Sequence, residues 1–174
     1  MTAILNQHEN YLQADQAYGF PLLIKNLLSR AKVVSGNKKI HYADKTSYTY
    51  HEFFKRVNRL ANVLKGLNLQ KGDVIAVMDW DTHRYLECYF AIPMCGYILQ
   101  TVNVRLSEDK VLYTINHAKP KALLLNSEFS PMIKSHTQDA PSVEHVIWLD
   151  DNNTPMPPYA QGEYEAMLAQ ASDE

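Results

Sequence analysis

The chain has 174 residues, 46% apolar and 21% charged, enough for one domain or large subdomain with its own hydrophobic core. Its 17 Lys and Arg against 19 Asp and Glu give a formal charge of −2, which offers no electrostatic basis for binding nucleic acid or an anionic membrane surface. No run approaches the ~18 apolar residues of a transmembrane segment, and Asn6, Gln7, His8, Glu9 and Asn10 stand where a signal peptide needs its apolar run, so a soluble, cytoplasmic protein is expected.

Residues 1–18 read as a polar N-terminal arm, residues 19–150 as an α/β subdomain, and residues 151–174 as a linker with a short C-terminal helix. After the arm, Phe20, Leu23, Ile24, Leu27, Leu28 and Ala31 repeat at helical spacing, with Pro21 suited to the first turn and Gly36-Asn37 to the end. Lys39–Tyr42 and Ser47–Thr49 read as two short strands around a turn at Ala43–Thr46. Thr49 and Glu52 then form a capping box, followed by the stripe Phe53, Val57, Leu60, Ala61 and Leu64, with Gly66 as the stop. The basic pairs Lys38-Lys39 and Lys55-Arg56 are expected on solvated faces.

Four apolar runs follow, beginning at Val74, Tyr97, Lys121 and His145, that is 23, 24 and 24 residues apart. Between them lie helical patterns on Leu86, Tyr89, Phe90, Pro93 and Met94, on Val111, Leu112, Ile115 and Ala118, and on Phe129, Met132, Ile133 and His136. Continuous apolar strands alternating with helices indicate a doubly wound, mostly parallel α/β sheet with helices on both faces. A final short helix is expected on Tyr164, Met167 and Leu168.

The glycines are Gly19, Gly36, Gly66, Gly72, Gly96 and Gly162, no two closer than six residues. Neither a GxGxxG turn nor a GxxxxGK loop fits anywhere in this chain, so phosphate chemistry has no loop to use here. Asp79 and Asp81 close a strand, where two carboxylates suit Mg²⁺. The simpler reading is that Asp81 or Thr82 caps the next helix and Asp79 is a solvated loop acid. His83 and Glu87 stand at i, i+4 beside Arg84, and a surface pair is favoured over an acid–base pair because no nucleophile accompanies them. His117 suits the negative end of a helix dipole. Asn103 and Arg105 follow a strand, where loop residues carry function, although positioning the next helix also accounts for them. Cys88 and Cys95, seven apart on one helical side, are too distant for a disulfide and lack partners for zinc, so buried thiols in a reducing compartment are expected. No residue is assigned a catalytic, cofactor-binding or metal-binding role.

The run from His83 to Gly96, Thr101-Val102-Asn103-Val104-Arg105-Leu106-Ser107, and Ile115-Asn116-His117-Ala118 together resemble the adenylate-forming acyl-CoA synthetases. So do Thr49-Tyr50 with Glu52, and Gly72-Asp73 with Ala76-Val77. The likeness spans roughly residues 20–150 and looks closest to medium- and long-chain fatty-acyl-CoA ligases. Val104 stands where the family commonly has Pro, and Asp81 where Asn is common. The resemblance implies the N-terminal subdomain of an enzyme that joins a fatty acid to ATP and Mg²⁺ chemistry, forming an acyl-adenylate that CoA thiol then attacks. It also implies that the phosphate loop, ribose-binding Asp, Mg²⁺ ligand and catalytic lysine all follow the matched region. The chain alone is therefore expected to be inactive and to bind none of ATP, Mg²⁺ or CoA. Its expected partners are the remainder of the enzyme, the fatty-acid substrate of that enzyme, and a second copy where it self-associates. Two alternatives stand beside this: a free-standing α/β interaction module derived from such an enzyme, and a ligase for aryl or amino acids.

Overall fold

The structure is a computed structural model that describes residues 23–174. Phe20, Pro21 and the arm over residues 1–18 lie outside the described residues.

Helix α1 (Ile24–Ser35) turns Leu28 and Ala31 toward the core and ends at Gly36. A hairpin follows, β1 (Lys39–Tyr42) paired antiparallel with β2 (Thr46–Thr49), its turn opened by Ala43 at φ 47°. Helix α2 (Tyr50–Lys65) starts on Thr49, whose Oγ1 accepts the Glu52 N–H at 3.2 Å. Only that half of the expected box is used, because the Glu52 carboxylate accepts from Arg59 at 3.1 Å instead. Gly66 keeps a right-handed conformation, and the chain reverses at Asn68, φ 57°.

The main sheet has the order β4-β3-β5-β6-β7, every pair parallel. Its strands are β3 (Val74–Met78), β4 (Ile98–Thr101), β5 (Ala122–Asn126), β6 (His145–Leu149) and β7 (Gly162–Glu163). Side chains alternate across the sheet, as strand geometry requires. Ile75, Val77, Leu124 and Ile147 enter one core with α2, α3 (His83–Met94) and α6 (Tyr164–Gln170). Ala76, Met78, Leu123 and Trp148 enter a second core with α4 (Glu108–Ala118) and the segment after β5. Two buried faces explain why β3, β5 and β6 read as unbroken apolar runs, and the doubly wound α/β expectation holds. At the entry to β3 and β4, Gly72 (φ 88°) donates its N–H to the Gly96 (φ 83°) carbonyl at 2.8 Å, both in the left-handed region open to glycine.

The structure departs from the sequence expectation in two elements. The pattern on Phe129–His136 is not one helix but a 3₁₀ turn, Ser127–Met132, and a separate short helix α5, His136–Asp139. Pro131 has no N–H to continue an α-helical ladder, which accounts for the break. The polar stretch after Leu149 returns to the sheet, where β7 pairs beside β6 and places Tyr164 and Leu168 of α6 in the first core.

Candidate functional site

The loops after β3 and β5 depart to opposite faces of the sheet, into α3 and into the 3₁₀ turn. Their carboxyl ends therefore form the crevice where open α/β sheets bind ligands. In this protein the crevice is closed by side chains. Asp79 Oδ1 accepts from Asn126 Nδ2 at 2.6 Å and from Trp80 N–H at 2.9 Å, while Oδ2 accepts from Thr82 Oγ1 at 2.5 Å. Trp80 Nε1 donates to Glu128 at 2.8 Å and its ring lies 4.9 Å from Phe129. Asp79 is thus buried rather than a solvated acid, and burial raises its pKa against the hydrogen bonds from Thr82 and Asn126. Thr82 caps α3 as expected, accepting the Tyr85 N–H at 3.3 Å. Asp81 is exposed.

Beside this crevice, Val102, Asn103, Val104 and Arg105 join Asp79 and Trp80 around a small cavity of about 170 Å³. Asn103 Oδ1 accepts the Arg105 N–H at 3.1 Å, and the Arg105 guanidinium lies 6.0 Å from the Trp80 ring. The expected loop candidates therefore do meet the β3 edge. His117 sits elsewhere, stacked on Tyr113 near the end of α4. Both Asp79 oxygens are occupied by protein donors, and among the described residues no group of three or more His, Cys, Asp or Glu is placed to hold a metal ion.

A second cluster was not legible in the sequence. Glu87, expected on the surface with His83, is fully buried. Its carboxylate accepts from Arg56 Nε at 2.6 Å, Tyr48 Oη at 2.7 Å and Tyr164 Oη at 2.6 Å. Arg56, expected to be solvated, turns inward and reaches Glu165 with both terminal nitrogens at 2.8 Å. His83 Nε2 stands 3.3 Å from the same Glu165. Burial, with Glu87 alongside, pushes both tyrosine phenols well up and keeps them neutral donors. Nearby, Arg84 is buried too and pairs with Asp151 at 2.8 Å. Ion pairing of this kind lets a helix turn charges inward when hydrogen bonds satisfy them. The cluster joins β2, α2, α3 and α6.

Glu165 gives this cluster a pH signature. Burial raises its pKa, but hydrogen bonds from His83 and Arg56 outweigh that and hold it at about 2, below its ordinary 4.5. A depressed carboxylate stabilises the fold above its unfolded pKa and loses that contribution as pH falls through the folded one. Stability is expected to drop between pH 4.5 and about 2, and Glu165→Gln to flatten that drop in thermal unfolding curves. The thiols give another expectation. Burial pushes the Cys88 thiol well above its ordinary value and raises Cys95 as well, so both stay protonated and poorly nucleophilic. Neither is expected to react quickly with a disulfide reagent at neutral pH, and both are expected to react after denaturation in guanidinium.

Comparison with known proteins gives concordant results. The family described as "AMP-binding enzyme" matches residues 29–172. A long-chain-fatty-acid–CoA ligase of Thermus thermophilus is 31% identical over 152 residues, covering 85% of this chain and 27% of the relative. A peroxisomal benzoate–CoA ligase of Arabidopsis thaliana is 32% identical over 142 residues, covering 82% and 23%. The chain thus spans about a quarter of the length of these relatives. A crystal structure of an anthranilate–CoA ligase in complex with anthranoyl-AMP superposes with a TM-score of 0.79 at 22% identity, covering 89% of this chain and 30% of that one. That likeness supports the fold.

Proposed function

Because the chain belongs to the AMP-binding enzyme family, we infer that it is the N-terminal scaffold of a longer ATP- and Mg²⁺-dependent carboxylate–CoA ligase acting on medium- or long-chain fatty acids. The observation carrying this reading is the family match across residues 29–172, joined to relatives that are CoA ligases. The fatty-acyl assignment draws on the Thermus thermophilus relative and on a medium-chain ligase of Ectopseudomonas oleovorans at 28% identity. In this reading the chain supplies a sheet and its supporting helices, while nucleotide, Mg²⁺ and CoA contacts reside in the rest of the protein. The occupied Asp79 oxygens and the lack of a glycine-rich loop support that division. The two free thiols are consistent with a cytoplasmic setting.

The 32% identity to a benzoate–CoA ligase favours one second reading, an aryl-acid ligase. Thioester formation by the longer protein with CoA, ATP and a panel of fatty and aryl acids separates the two. Preference for fatty acids supports the first reading, and preference for benzoate or cinnamate replaces it with the second.

A further inference from the structure

A cavity of about 260 Å³ lies between β1 and the start of α3, and its wall is mostly aromatic. Tyr42, His83, Tyr85 and Tyr89 line it together with the exposed acid Asp81. The rings stand in two pairs, Tyr42 with His83 at 5.5 Å between centroids and Tyr85 with Tyr89 at 5.2 Å. Asp81 forms no hydrogen bond or ion pair among the described residues. No Lys or Arg lines this cavity. Arg105, by contrast, lines the cavity at the carboxyl edge, Lys25 lines one beside Met94, and Lys32 and Lys55 line one beside Asp173. The cations nearest the aromatic cavity are engaged elsewhere. Arg84 is buried on Asp151 at 2.8 Å, and Lys45 reaches the same Asp151 at 3.5 Å. Lys45 Nζ also lies 6.0 Å from the Tyr42 centroid, so that ring already draws a positive charge.

We propose that this cavity is a binding site for a small quaternary ammonium group of the choline type. Aromatic faces are negative and attract a cation held over them, and an uncompensated carboxylate beside them adds to the attraction. A quaternary ammonium has no N–H to satisfy, so its methyl groups pack on the rings while its charge faces Asp81. A lysine-type ammonium is more strongly hydrated and finds one carboxylate in exchange for its water. The volume lies a little below the roughly 300 Å³ at which ligand pockets begin, which suits a head group rather than a large molecule. Part of the wall is fixed in advance, since His83 stands 3.3 Å from Glu165 and Tyr85 is 5% exposed. The inference uses only β1, α3 and the loop before α3, and does not depend on the ligase reading.

NMR titration of isotope-labelled tyrosine rings tests this on the present chain. Choline is the probe, and its uncharged isostere, with tert-butyl in place of trimethylammonium, is the reference. Choline is expected to shift the Tyr42, Tyr85 and Tyr89 signals saturably at millimolar concentration, leaving Tyr113 on α4, 70% exposed, unmoved. The isostere is expected to give no saturable shift. Asp81→Asn is expected to weaken choline binding about threefold, the size of an exposed ion pair. Tyr89→Leu is expected to weaken it about two- to fivefold through loss of one aromatic face. Both side chains are exposed, so the fold is retained, and an unchanged Tyr113 signal in the free variants checks this. Equal binding of the isostere overturns the proposal and leaves an apolar pocket. So do shifts of equal size at Tyr113, which mark a general salt effect, an absence of saturation, or unchanged affinity in either variant.

Discussion

Replacing Glu87 with alanine is expected to lower the unfolding free energy by about 3–5 kcal/mol, the range for removing one partner of a buried ion pair. The substitution leaves the Arg56 guanidinium with Glu165 as its remaining partner and strips the acceptor from two buried phenols, Tyr48 and Tyr164. Unsatisfied buried donors carry the full desolvation cost, so the loss exceeds that of any single hydrogen bond. Because α2, α3 and α6 meet on this carboxylate, the C-terminal helix is expected to detach first. Hydrogen exchange should show it as early loss of protection over Tyr164–Gln170. Urea titration gives the magnitude. A Glu87→Ala chain within about 1 kcal/mol of the parent would mean that these pairs do not form in solution.

Leu124→Ala is expected to cost about 2–5 kcal/mol, through lost transfer energy and an incompletely collapsed cavity. Leu124 lies at 0% exposure in β5, the strand between β3 and β6, and packs into the core beneath α2, α3 and α6. Close-packed neighbours on both adjacent strands leave little room for collapse. Ile98→Ala on the exposed edge is the contrast, expected to change stability of this chain by less than about 0.5 kcal/mol. Denaturant midpoints for the pair measure the difference, and similar values would contradict a sheet with β5 at its centre and β4 at its edge.

The sheet is readable in the sequence because its residues carry one unambiguous signal. The runs at Val74, Lys121 and His145 become strands buried on both faces, and only a strand covered on both sides needs such a run, whereas the run at Tyr97 becomes the exposed edge strand β4. Thr82 as a cap is equally local, since capping involves backbone only three residues away. The charge cluster is not readable. Arg56, Glu87 and Glu165 are far apart in sequence, and each alone looks like a polar residue on the solvent side of a helix. Only the packing of α2, α3 and α6 turns them toward one another. Asp79 looks solvated in the sequence for a related reason, as its partner Asn126 arrives from the next strand of the sheet. The short β7 lacks any periodicity that two residues could express.

The site is legible mainly as a family resemblance in short segments such as Thr101–Ser107. The geometry then places Asn103 and Arg105 beside Asp79 and Trp80 at the carboxyl edge.

ATP–pyrophosphate exchange with a fatty-acid panel, run on this chain and on the product of its full reading frame, tests the scaffold reading most directly. Exchange in the longer protein and none in this chain is the predicted result. Exchange by this chain alone, or by neither, would contradict it, the latter in favour of a free-standing interaction module.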